Sequence, residues 1–336
     1  RQMCIRDRVH ALAINNSKIA NLVYIYDPDE EIAKKFSVEF NCIVSNIDNI
    51  KKDKQIDAVI ICSPTDTHVE LICIFSNYKK AIFCEKPIDL DIKKVRKCLE
   101  TIEKNKTQFM IGFNRRFDPH FQSLKNSLKQ DKIGNIETII ITSRDPGLPP
   151  INYLKQSGGI FKDMTIHDFD MAIFLLDELP VEIYSSASIL IDDQIKEVED
   201  FDTASVILKT LSGKQIIISN SRRSSYGYDQ RIEVHGSLGM VSAENQRPVS
   251  IEIANSQGFT KPPLHHFFMT RYIDAYAEEI NYFVNSLKSG SEIKPNGIDG
   301  LNALIIAEAA KSSLLKGKNL PLSLIHISEP TRQLQI

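Results

Sequence analysis

The sequence predicts an α/β protein in two parts: an N-terminal Rossmann-like parallel sheet and a C-terminal α+β domain with an open, mainly antiparallel sheet. Three features carry this expectation. From Leu22 to Phe117, short apolar runs alternate with helical ones, the rhythm of β-α-β units. Beyond that point strand-like runs follow one another with few helices between them. Several of these alternate apolar and polar residues, as a sheet with one buried face does. Two long helical patterns, 267–290 and 297–318, close the region.

Taken in order, "LVYIYD" (22–27) is a strand, and "PDEEIAKKFSVEF" (28–40) has the proline and acidic first turn of a helix start. "DAVIICSP" (57–64) is almost continuously apolar, which suits a strand covered on both faces. A helix (65–77), the strand "AIFCEKP" (81–87), a helix (91–105) and the strand "QFMIGF" (108–113) complete the first part. In the second part the strands are 137–145, 181–190, 202–210, 214–223, 230–237 and 249–255. Domains are expected over 8–118 and 119–321.

With 336 residues the chain is long enough for two cores. Its formal net charge of -2, with no long basic run, points away from nucleic acid and anionic membranes. No apolar run reaches the roughly 20 residues that span a bilayer. Six cysteines are present without a C-x-x-C pair, several inside apolar strands. They read as reduced, buried thiols of a cytoplasmic protein, with no metal site.

Several stretches can carry chemistry. Asp27 ends a strand, where an acid can bond the adenosine ribose of a dinucleotide and repel a 2′-phosphate, favouring NAD over NADP. It could equally cap the helix that follows. Ser63, Pro64, Thr65 and His68 form a polar turn after the next long strand, at the end of the sheet where ligands sit. Glu85, Lys86 and Pro87 leave an apolar strand abruptly. A partly desolvated lysine there can hydrogen-bond a reacting hydroxyl, although a surface lysine is the commoner case. In "GGIFKDMTIHDFDMAIFLL" (158–176), Asp163 and His167 stand four apart and share one helical face. Such a pair suits proton transfer, metal binding or a plain salt bridge. Arg115 and Arg116, then "SRRSSYGYDQR" (221–231) and "HHFFMTRYIDAY" (265–276), add hydroxyl-binding donors.

In order and spacing, "VHA" (9–11), Asp27, "SPTDTH", "CEKP", "GFNRRFD", "GGIFKDMTIHDFDMA", "YGYDQRIEVHGS" and "RYIDAYAEEI" resemble the glucose-fructose oxidoreductase/inositol dehydrogenase/rhizopine catabolism family from Val9 to about Pro321. The resemblance implies NAD-dependent oxidation of an inositol ring hydroxyl, with another polyol or sugar as the alternative substrate. A nucleotide-dependent regulator without turnover is the non-enzyme alternative. By analogy, His167 is the general base, Asp163 orients it and Lys86 polarises the oxygen. Asp27, Ser63, Pro64, Thr65, His68, Glu85 and Lys86 face the cofactor. Arg115, Asp168, Tyr228 and Tyr272 face the substrate, and the assembly is a homotetramer.

The departure lies at the start. Family members place a strand and a G-x-G-x-x-G-type loop before "VHA", whereas this chain reads "RQMCIRDR" and has no glycine before Gly112. Residues 1–7 match the translated end of a transposase-type sequencing adapter. Leu322 to Arg332 match the opposite adapter read outwards, and 333–336 fit an index read. Segments 1–7 and 322–336 are therefore expected to be adapter-derived. The first strand and glycine loop are expected to be cut away, leaving a chain that binds NAD weakly.

Overall fold

In the computed structural model, which describes residues 3–322, the chain divides into two compact units. The first comprises residues up to Asp118 together with Tyr272–Leu301; the second comprises Pro119–Arg271 together with the chain from Asn302. Sequence order places the helix Ile273–Ser289 with the second domain. In the structure it returns to the first unit, where Tyr276 meets the His10 ring edge-on at 5.4 Å and Phe283 meets Phe83 at 5.8 Å. Among the described residues no helix is long and apolar enough to cross a membrane.

The first unit opens with a helix, Met3–Asn16. Strands β1 (Tyr24–Ile25) and β2 (Ile43–Val44) pair in parallel, and β3 (Ala58–Ile61), β4 (Ala81–Glu85) and β5 (Phe109–Gly112) form a second parallel set in that order. In the standard doubly wound order the first strand lies between the second and the fourth. Among the described residues no strand joins β1 to β3. All of β4 and β5 is buried, which accounts for their unbroken apolar runs.

The linking helices begin where the sequence provides caps. Asp29 accepts the backbone N–H groups of Glu31 and Ile32, and Asp91 accepts that of Lys93. The first of these helices thus starts at Glu30 rather than at Pro28.

Of the terminal runs expected to be adapter-derived, Arg1, Gln2 and 323–336 lie outside the described residues. Met3–Asp7 form the first turns of the opening helix, and Leu322 is buried.

The second unit is built on one sheet. Strands β6 (Ile136–Arg144), β7 (Pro180–Ser188), β8 (Thr203–Thr210), β9 (Gln215–Ser221), β10 (Asp229–Gly236) and β11 (Gly239–Ala243) join a last short strand, Leu320–Pro321. Their order is β11-β10-β6-β9-β8-β7 and then the last strand. Only β6 and β9 run parallel; the other neighbours are antiparallel. Alternation along each strand gives the sheet two unlike faces. Ile139, Ile141, Val206, Leu208, Ile216, Ile218 and Val234 are buried on one face, whereas Ile140, Ile207, Ile217 and Tyr184 are exposed on the other. An exposed hairpin, Ile253–Asn255 with Gly258–Thr260, stands outside this sheet.

The segment that carries the Asp163/His167 pair is not a plain α-helix. A helix Ile151–Ser157 ends on Gly158 in the left-handed region, and Gly159 follows at φ +84. A π-helical turn, Phe161–Thr165, then runs directly into the α-helix Ile166–Leu176. In a π turn the hydrogen bonds close from i to i+5, which widens the turn while positions four and five apart stay on one side.

Candidate active site

In the first unit the expected cofactor-side residues lie at the carboxyl ends of the parallel strands. Asp27, just after β1, is half-buried, and its carboxylate accepts the N–H of Asp29 at 2.8 Å. The helix cap is Asp29, so the alternative in which Asp27 caps the helix does not hold.

Beyond β3, Thr67 donates its hydroxyl to the carbonyl of Pro64 at 2.7 Å. Ser63, 2.6 Å away, therefore donates to Thr67. Pro64 sits at the N-cap position of the helix Thr65–Asn77 and provides no side-chain cap.

His68 is held by the backbone on both sides of its ring. It is 1% exposed, and its two ring nitrogens each lie 2.8 Å from a backbone carbonyl, that of Ser63 and that of Pro87. Burial pushes its pKa down, against the two carbonyls that favour the charged ring. Donating to one carbonyl when neutral and to both when charged, His68 staples the turn after β3 to the turn after β4.

Glu85, the last residue of β4, is buried and lies 2.7 Å from the imidazole of His10, with Arg6 at 3.4 Å. Burial alone would raise its carboxyl. The His10 hydrogen bond and the charges of Arg6, His10 and Lys86 outweigh that effect and hold the pKa at about 2. Lys86 is buried and its peptide to Pro87 is cis. Arg115 is buried in the turn Asn114–Phe117 after β5, and its neighbour Arg116 donates to Asp299 at 3.0 Å.

In the second unit Asp163 stands in the π turn with both carboxylate oxygens engaged. Oδ1 accepts the Tyr153 hydroxyl at 2.7 Å, and Oδ2 accepts Arg222 at 3.2 Å. His167 is half-buried at the start of the α-helix that follows.

Asp168 follows on the same helix. It is 0% exposed, and its oxygens accept Ser143 Oγ at 2.6 Å and Asn220 Nδ2 at 2.7 Å. These contacts tie the helix Ile166–Leu176 to β6 and β9 and so anchor the helix that carries His167. Tyr228 and Tyr272 are buried, and the backbone N–H of Tyr228 bonds the carbonyl of His265 at 2.8 Å.

Residues 4–113 match the oxidoreductase family with an NAD-binding Rossmann fold, and residues 121–242 match the GFO/IDH/MocA C-terminal domain. The inositol 2-dehydrogenase of Rhizobium meliloti (strain 1021) is 54% identical over 316 residues, which cover 94% of this chain and 96% of that protein. The chain belongs to the GFO/IDH/MocA oxidoreductase family. Among solved structures, a myo-inositol dehydrogenase from Corynebacterium glutamicum superposes with a TM-score of 0.90 at 39% identity, covering 96% of each chain. A scyllo-inositol dehydrogenase from Lactobacillus casei, solved with bound NAD(H) and scyllo-inositol, gives 0.87 at 26% identity. That match covers 94% of this chain and 96% of the other.

In a GFO/IDH/MocA protein the dinucleotide lies along the strand ends, and this chain fits it unevenly. Asp27 suits a ribose diol, and the Ser63–Thr65 turn and Lys86 stand just past the carboxyl ends of β3 and β4, where such a ligand lies. The opening helix, Met3–Asn16, contains no glycine to let backbone approach a pyrophosphate.

Sequence reading missed Tyr153, Asp200 and His10, and it took Arg222 as one of the hydroxyl-binding donors of 221–231, where the structure buries it against Asp163 and Asp200. A signal for its burial existed. Arg222 continues the two-residue period of Ile216, Ile218 and Asn220 along β9 and points inward, whereas Arg223 is exposed.

Proposed function

We propose that this chain is an NAD-dependent inositol 2-dehydrogenase, oxidising a ring hydroxyl of myo-inositol or an isomer to the keto-inositol. The observation that carries this reading is Asp163, held by Tyr153 and Arg222 within a family segment that also supplies His167, in a chain that keeps Lys86. His167 takes the hydroxyl proton on its imidazole, and Asp163 orients the ring and stabilises its charged form. The Lys86 ammonium hydrogen-bonds the substrate oxygen as it becomes a carbonyl. When bound, the nicotinamide accepts the hydride from the substrate carbon. Arg115, Tyr228 and Tyr272 are assigned to the polyol hydroxyls, and the Asp27 carboxylate selects NAD by repelling a 2′-phosphate.

A homotetramer in the cytoplasm completes the proposal. Tyr184, Ile207, Ile217 and Ile140 lie in cross-strand register on the open sheet face, an apolar row for a second copy to cover. The described cysteines, Cys42, Cys62, Cys73, Cys84 and Cys98, are all free thiols, as in a reducing compartment.

Steady-state NADH formation across inositol isomers and common sugars tests the reading. Whatever turnover the chain shows is expected with an inositol rather than with sugars. Turnover with sugars alone assigns a different polyol dehydrogenase, and none from a chain that binds NAD assigns a regulator. Light scattering at the tetramer mass is expected, and a monomer would remove the sheet-face argument.

A further inference from the structure

The buried charges around Asp163 form a closed circuit within the second unit. Arg222 is 1% exposed and reaches two carboxylates, Asp163 at 3.2 Å and Asp200 at 3.5 Å. Asp200 in turn accepts the backbone N–H of Ile160 at 2.7 Å, at the entry to the π turn that carries Asp163. Gly159 allows this approach: a Cβ there would sit 2.8 Å from the Asp200 carboxylate. The path Ile160–Asp200–Arg222–Asp163 therefore begins and ends on one turn, fixing its backbone and its carboxylate together. Tyr153 fixes the other oxygen of Asp163. A carboxylate has about four acceptor sites, so these two contacts leave capacity for an imidazole N–H.

The charge balance agrees with the geometry. Burial raises the Asp200 carboxyl, with Arg222 opposing, and Asp163 stands ahead of Asp200 among the acids that favour the charged guanidinium. Asp145 is the third acid acting on Arg222.

We propose that Arg222 and Tyr153 are positioning residues for the proton-transfer pair: they hold Asp163 ionised and aimed, and Asp200 holds Arg222 in place. This rests on the reading of His167 as general base. Lys cannot reproduce the two-acid contact of a guanidinium fork although it keeps the charge, so Arg222→Lys alters geometry more than electrostatics. Tyr153→Phe removes one hydroxyl and no charge.

The test is the titration of the His167 imidazole by NMR in the ligand-free chain, its resonance assigned by its loss in His167→Ala. Releasing Asp163 removes a fixed anionic partner from the imidazolium, so the His167 midpoint moves down. Arg222→Lys is expected to lower it by about half a pH unit or more, and Tyr153→Phe to shift it in the same direction by less. Turnover of myo-inositol with NAD falls about tenfold or more in Arg222→Lys, while NAD affinity measured by calorimetry stays within about twofold. If both variants keep the wild-type midpoint and only the melting temperature falls, the role is structural and the proposal is overturned. Should Arg222→Lys fail to fold, Tyr153→Phe decides by the same midpoint. Full activity in His167→Ala removes the general-base reading and the proposal with it. An inactive His167→Ala beside unshifted clamp variants removes the proposal alone.

Discussion

The two units bury charge in different ways. In the first, the groups at the strand ends are held separately, each by its own partners. His68 is gripped by two backbone carbonyls, and Glu85 is met by His10 and Arg6 of the opening helix. In the second the acids share a network: Arg222 joins Asp163 to Asp200, and Asn220, two residues before it, holds Asp168. Separate partners can be lost one at a time, whereas the loss of a shared partner strands several groups together. Substitutions should therefore be tolerated differently in the two units, and the variants below are chosen to break that contrast.

The largest effect is expected at the proton-transfer pair. His167→Ala should lower the turnover number for myo-inositol by roughly 10²–10⁴-fold, the usual contribution of a general base. NAD affinity should change little. A variant with wild-type turnover would take His167 out of the chemistry.

Stability gives the next effect. Arg222→Met leaves Asp163 and Asp200 buried without their cation, a loss of about 3–5 kcal/mol. Urea unfolding measures it. Replacing exposed Arg223 in the same way should change stability by less than about 0.5 kcal/mol. Equal losses at the two positions would mean that the ion-pair circuit adds nothing.

This pair of arginines also shows what was legible in the sequence. Strand-end motifs such as "SPTDTH" and "CEKP" are contiguous, so their location at the sheet ends could be read directly. The pattern of apolar alternation gave the open sheet of the second unit for the same reason. The partners of Asp163 come from a helix before it and a strand well after it, and no spacing rule links them. The partners of Asp168 were not legible for a related reason. Its neighbours Ser143 and Asn220 lie on β6 and β9, which are adjacent only through a parallel pairing that local sequence does not encode. The return of the helix Ile273–Ser289 to the first unit is likewise a tertiary choice.

The pH dependence of stability should separate two carboxyls within the first unit. The Glu85 carboxyl is held at about 2 in the folded chain against an ordinary value of 4.5. A depressed carboxyl contributes stability that is present above pH 4.5 and is lost as the pH falls towards 2. Asp7 is pushed up to about 6 from 3.8, chiefly by burial. Its contribution has the opposite sign: it is complete below pH 3.8 and fades as the pH rises through 6. Glu85→Gln should flatten the acid limb of a melting-temperature profile by an amount on the order of 2–3 kcal/mol. It should leave the limb between pH 4 and 6 in place. An unchanged acid limb would show that His10 and Arg6 do not hold Glu85 charged.

A smaller effect tests the anchor reading of Asp168. In Asp168→Asn one oxygen still accepts the Ser143 hydroxyl, but the new amide faces the amide donor of Asn220. One donor is left without an acceptor in a fully buried place, which costs about 1–3 kcal/mol. The cost belongs to folding, so the melting temperature should fall while KM for myo-inositol stays within about twofold. A raised KM at wild-type stability would return Asp168 to the substrate. It would also weaken the contrast between the units, because a buried carboxylate of the second would then serve the ligand directly rather than the scaffold. Ser143→Ala completes the comparison. It removes one of the two hydrogen bonds without adding a donor, so its stability loss should be smaller than that of Asp168→Asn, with KM again unchanged.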